Sequence, residues 1–233
     1  MKKIPLLPIK VSYLTPLAVL AISALSAHGA TVVTPSIGAS YGGLAFDADA
    51  VGLSYTASVT EGALQSGFDN FAALSNGVPD SINPDSGAVE AILFPNGTNP
   101  ASFTIDLGLA TDIGSITAFS SHTTTRSFLS FDVYGSNTAG LNPGAAGSTL
   151  IHNVTVGLND QDNDVVAAQI ADNGGASLGS YRYLIFDVFA DPDTFGTNKE
   201  HAFITELDVQ AIPEPSAALL GGLGLLALLR RRR

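Results

Sequence analysis

Phe103-Thr104-Ile105-Asp106-Leu107-Gly108, followed shortly by Ile113-Gly114-Ser115-Ile116-Thr117-Ala118-Phe119, decides the fold of this chain. Apolar and polar residues alternate one by one. A period of two puts successive side chains on opposite faces of a strand, whereas an amphipathic helix needs a period near 3.6. The same alternation runs through Leu129 to Val133 and Phe203 to Val209. Val89 to Phe94, Thr149 to Val156, Asp164 to Ile170 and Tyr181 to Phe189 read as further strands, and others are expected before residue 75. Turns rich in Gly, Asn, Asp and Pro separate them. Neither a capped amphipathic helix nor an internal repeat is visible. The pattern predicts an all-β protein, an antiparallel β-sandwich of the jelly-roll or immunoglobulin-like kind.

Both ends of the chain read as targeting segments. Lys2, Lys3 and Lys10 precede an apolar stretch, Val11 to Leu25, that closes on Ser26-Ala27-His28-Gly29-Ala30. This is the pattern of a secretory signal helix over 1–30, cut after Gly29 or Ala30. At the other end, Pro213-Glu214-Pro215 is followed by an apolar run, Ala217 to Leu229, and then Arg230, Arg231, Arg232 and Arg233. As a helix that run spans roughly 20 Å, short of the roughly 30 Å hydrocarbon core of a bilayer. The arginines resist translocation and the prolines keep the neck extended. The segment 212–233 therefore reads as a short transmembrane helix that stops transfer, either a plain tail anchor or, by the logic of a GPI signal, a processed sorting tail. The sandwich is left with 31–211.

Without these ends the charge changes. Only Arg126, Arg182 and Lys199 remain basic between residues 31 and 212, against twenty acids, a net charge of −17 where the whole chain carries −11. Such a surface repels nucleic acid and anionic lipid. It suits divalent cations and neutral glycans. There is no cysteine, so the exported body has no disulfide, thiol nucleophile or thiolate metal site. Its stability must come from a core, which a domain of about 180 residues is large enough to build.

The tail, with its Pro-Glu-Pro motif, short apolar run and arginine cluster in order, resembles the PEP-CTERM sorting signal of Gram-negative bacteria. That resemblance implies an exosortase-type transpeptidase as partner, transient inner-membrane association, and delivery to the cell surface or extracellular matrix of exopolysaccharide-producing, biofilm-forming cells. The body from about residue 70 resembles a discoidin or coagulation factor 5/8 type C domain, a galactose-binding-like jelly roll. The matching pieces are Leu74-Ser75-Asn76-Gly77, Phe103 to Gly108 leading to Ile113-Gly114-Ser115-Ile116, Phe131-Asp132-Val133-Tyr134-Gly135-Ser136, Tyr181-Arg182-Tyr183-Leu184 and Ile204-Thr205-Glu206-Leu207-Asp208-Val209. The chain departs from that family in having no tryptophan. It also has Ser136-Asn137-Thr138-Ala139-Gly140 where a serine-acid-acid-glycine turn is usual.

The second resemblance implies a structural Ca²⁺ held by the first loop and an acid on the last strand, here Asn76, Asp80 and Ser81 with Glu206. Hard oxygen donors are what Ca²⁺ requires. The plain alternative is a turn at Asn76-Gly77 and a solvated Glu206. A second acidic stretch, Asn159 to Asp164, fails the EF-hand template, because Val165 and Ala171 stand where Gly and Glu are needed. It reads as an exposed turn.

The same resemblance implies ligand recognition by loops at one end of the sandwich. The candidates are His122, Arg126 and Phe128 on one loop, with Phe195, Asn198 and His201 on another; an aromatic face would stack on a sugar and the polar groups would bond its hydroxyls. Arg126 has an alternative role as an ion-pair partner, and Phe128 as the start of a core strand. No HExxH or Walker motif is present, and the expectation is a non-enzyme. Two functions remain: a carbohydrate-binding-like surface module, or a structural and adhesive matrix protein with no specific ligand site.

Overall fold

The computed structural model describes residues 30–38, 52–77, 91–95, 98, 100–121, 129–156, 165–189 and 203–212. Among the described residues eight strands form: β1 (Thr31–Gly38), β2 (Thr56–Glu61), β3 (Ser102–Ser121), β4 (Leu129–Ser136), β5 (Ser148–Val156), β6 (Val165–Asp172), β7 (Gly179–Val188) and β8 (Glu206–Ala211). The only helical element among the described residues is a 3-10 turn, Phe71–Ser75. Every strand pair is antiparallel.

The two alternating stretches expected as separate strands are one, β3. It bends at Gly108, whose φ of +81° is left-handed and favours glycine. The Gly108 amide donates to Oδ1 of Asp106 at 2.7 Å, and the register against β7 slips between Asp106 and Thr111. Before the bend β3 lies between β2 and β7; after it, between β6 and β8. One strand thus serves two layers, β2-β3-β7-β4-β5 and β1-β6-β3-β8. After β5 the chain alternates between them, the crossing pattern of a jelly roll.

The inward residues of both layers form one core. Phe103, Ile105, Phe131, Val133, Leu184 and Phe186 come from the first, and Ile116, Ala118, Val166, Ala168, Ile170, Leu207 and Val209 from the second. With no tryptophan in the chain, phenylalanines supply the aromatic bulk. Phe186 stacks on Phe103, centroids 4.8 Å apart, and meets Phe131 edge-on at 5.4 Å, arrangements that add to simple burial. Phe68 and Phe203 pack edge to face at 5.5 Å in a small satellite with Ala91 and Leu93.

One expectation meets a different outcome. In the described part of the expected strand Val89 to Phe94, Ile92 makes only isolated bridges, to Asp69 and Ile204. That stretch is apolar because Ala91 to Phe94 are buried, not because they join a ladder. β1 and β2 complete the layers before residue 75. Pro35 in β1 is tolerated because the strand pairs on one side only, with β6.

The strand ends sort into two poles. At one, Ile212 N donates to Asp112 O at 2.9 Å and Asn173 N to Ala30 O at 3.1 Å, so both ends of the folded body lie beside the Ile113 end of β3. At the other pole lie Ser121, Leu129, Val156, Val165, Val188 and Glu206. The expected signal segment and the tail from Pro213 to Arg233 lie outside the described residues. No helix among the described residues is long and apolar enough to cross a membrane.

Candidate functional site

His122, Arg126, Phe128 and Asn198 lie outside the described residues, but the residues that flank them are placed. The chain leaves at Ser121, opposite Val165, and re-enters at Leu129, opposite Val156. The stretch that holds Asn198 leaves at Phe189, whose amide donates to Ser130 O at 2.9 Å. It returns at Phe203 to Thr205, where Thr205 N donates to Phe119 O at 2.9 Å. Both candidate ligand segments are therefore pinned to each other's flanks at entry and exit. Gly38, opposite Val165, and Gly77, bonded to Glu206, also lie at this pole.

Of the second candidate set, Asn76 and Glu206 are described. Gly77 N donates to Oε1 of the fully buried Glu206 at 3.2 Å, which puts the loop after the 3-10 turn against the first residue of β8. Tyr55, which sequence reading passed over, holds the two together. Its hydroxyl lies 2.8 Å from the carbonyl oxygens of both Leu74 and Leu207. Burial raises its pKa well above the ordinary value, and the negative field of Glu206 and Asp208 raises it further. No signal in the sequence singled out Tyr55, because its partners are backbone carbonyls distant in the chain. Asp80 and Ser81 lie outside the described residues, within which no group of three or more His, Asp or Glu side chains is placed to hold a metal. The donors that do meet here, Glu206 and the loop at Asn76-Gly77, are oxygen-bearing, the chemistry Ca²⁺ takes.

Below this pole, on the outer face of the first layer, Asp187 faces Asp132 across the β4–β7 pair. Burial, then Asp132 and Glu61, push the Asp187 carboxyl up to about 6. Amides and hydroxyls serve the neighbouring acids: Asn153 donates to Asp132, Asn142 to Oε1 of Glu61 at 2.8 Å and Ser102 to Oε2 of Glu61 at 3.3 Å.

The connection from β4 to β5 carries the departure noted at residues 136–140. Asn137 donates from Nδ2 to Ser180 O at 3.0 Å and accepts at Oδ1 from Arg182 N at 2.9 Å. A carboxylate accepts but does not donate, so the amide ties both groups of β7 where an acid would tie one.

Residues 211–233 match the PEP-CTERM protein-sorting motif. Comparison with curated protein sequences finds no significant match. Among solved structures the chain is similar to the galactose-bound family 32 carbohydrate-binding module of Clostridium perfringens NanJ, at 18% identity and a TM-score of 0.43 over 66% of this chain and 92% of that one. It is also similar to a fucolectin from striped bass (Morone saxatilis) serum, at 12% identity and 0.47 over 69% and 48%. The lectin domain of lectinolysin bound to Lewis b antigen matches at 13% and 0.44 over 72% and 99%. The chain is an all-β antiparallel sandwich that carries a PEP-CTERM sorting motif.

Proposed function

We propose that the protein is a non-catalytic glycan-binding module, exported and cut near Pro213 to Pro215 by an exosortase-type transpeptidase after transient residence in the inner membrane. It then acts at the cell surface or in the extracellular matrix of a Gram-negative bacterium, in contact with exopolysaccharide. The observation that carries this reading is the convergence of the flanks of 122–128 and 190–202 at one pole, tied by the Phe119–Thr205 and Ser130–Phe189 hydrogen bonds. We assign His122, Arg126, Phe128 and Asn198, which lie between these flanks in the sequence, to the ligand site. A structural Ca²⁺ held by Glu206 and the loop containing Asn76, Asp80 and Ser81 would fix the adjoining connection and supply no chemistry of its own.

The net charge of −17 on the body favours a second reading, a structural or adhesive matrix component that acts in bulk. A glycan array on the mature protein, run with Ca²⁺ and with EDTA and including host exopolysaccharide, separates the two. Saturable binding lost in His122→Ala or Arg126→Ala supports the module; silence on folded protein favours the matrix role.

A further inference from the structure

The geometry points to a second ligand site, a groove on the outer face of the first layer that takes a neutral sugar residue of a polysaccharide and shares no lining residue with the pole where the flanks of 122–128 and 190–202 meet. It encloses about 470 Å³, within the range of small-ligand sites. Three strands set its floor by register. Thr56 stands opposite Asp106 and Ser58 opposite Thr104, while Asp106 stands opposite Tyr183 on its other side. All five residues Thr56 to Thr60 line it, so β2, which pairs with β3, forms one wall. The β4–β5 connection forms the other wall at Ala139, Gly140 and Asn142. That wall is fixed in advance, to β7 through Asn137 and to β2 through the bond of Asn142 to Glu61.

The lining has the chemistry of hydroxyl recognition. Thr56, Ser58 and Thr104 offer hydroxyls, Asn142 an amide, and Tyr183 an aromatic surface for the C–H face of a pyranose ring. Asp106 is a fixed anionic acceptor: the Arg182 guanidinium grips it at 2.8 and 2.9 Å, which holds its carboxyl below the usual range. The same guanidinium lies 5.0 Å from the centroid of the Tyr183 ring, fixing the ring beside the acid. With Glu61 and Asp106 around it and a strongly acidic body, the groove repels uronic acids and sulfated sugars. Its ligand is a neutral glycan.

The test is calorimetric titration of the purified full-length protein with β-1,4-glucan, β-1,3-glucan and α-mannan hexasaccharides, with oligogalacturonate as the anionic control. Ser58 is exposed, so Ser58→Arg fills the groove without touching the core. Tyr183→Ala removes the ring, with melting curves followed in parallel. The expected result is saturable binding of a neutral hexasaccharide that weakens by about tenfold or more in Ser58→Arg and persists in the double variant His122→Ala/Arg126→Ala. Binding untouched by Ser58→Arg, preferential binding of oligogalacturonate, or no titration by any neutral hexasaccharide would overturn the groove. Loss confined to the His122/Arg126 variant would overturn it while leaving the reading of the loop pole standing.

Discussion

The main-chain amide of Gly77 donates to Oε1 of Glu206 at 3.2 Å, joining residues 129 positions apart. Such a contact fixes a loop to a strand through a fully buried side chain, and a carboxylate oxygen is the kind of donor that Ca²⁺ takes. We expect Ca²⁺ to act here. At about a hundredfold excess over its Kd a ligand that binds only the folded state adds about 2.7 kcal/mol, a rise in Tm of about 5–10 °C for a domain of this size. Differential scanning calorimetry with Ca²⁺ and with EDTA checks it. Glu206→Ala should abolish the difference between the two curves, and identical curves for the unaltered protein reject the ion.

Asp187 sets a pH dependence. Its folded pKa, about 6, lies above the ordinary carboxylate value, so the folded state binds a proton that the unfolded state releases. That proton favours folding below about pH 4, and the contribution is lost as pH rises through 6. Above pH 6 the ionised Asp187 sits beside Asp132 and Glu61 at a cost, roughly 1 kcal/mol after screening. Asp187→Asn should therefore raise Tm at pH 7.5 by about 2–4 °C and flatten the change between pH 7.5 and 5. An unchanged Tm and an unchanged slope would refute it.

Gly135 in β4 is required by packing. A Cβ there would fall 2.3 Å from the Tyr181 ring, which also lies over Gly179. Gly135→Ala should destabilise the fold by about 1–3 kcal/mol, the usual cost of overpacking. The pair is coupled, so Tyr181→Ala should relieve much of that loss and the double-mutant cycle should be non-additive. Additive losses in urea titration would show that the ring is not the obstacle.

The tail makes a chemical prediction. Intact-mass spectrometry of the mature protein from its native host should show a chain that lacks Arg230 to Arg233 and ends close to Pro213 to Pro215. A mass that includes the whole tail would leave the motif as an anchor only.

Much of this was legible in the sequence, and the limits have physical causes. The alternation around Phe103 and Ile116 located both halves of β3, but periodicity does not report a bend that keeps the strand continuous through Gly108. Val89 to Phe94 has strand composition because its described residues are buried, and burial selects apolar residues whether or not a ladder forms. β1 and β2 carry weaker patterns because each pairs on one side only. A family resemblance grouped Glu206 with Asn76, Asp80 and Ser81 as metal ligands; the structure adds the Gly77–Glu206 bond, while Asp80 and Ser81 lie outside the described residues. Tyr55 and the groove beside Tyr183 could not be read, since each depends on which backbone or strand register is brought alongside. His122, Arg126, Phe128 and Asn198 were chosen for residue type and loop position, and the structure adds that their flanks meet.

The two poles of the sandwich also give the molecule a direction. The last hydrogen bond of the folded body, from Ile212 to Asp112, lies at one end of the second half of β3, and the Phe119–Thr205 tie lies near the other. At about 3.4 Å per residue the strand between Ile113 and Ser121 is roughly 27 Å long. A chain moored through the residues after Ile212 would stand like a post, with its loop-bearing crown roughly that distance from the mooring. The hydroxyl-lined groove would open on its flank nearer the base, so the two surfaces would sample different depths of whatever coat surrounds the cell.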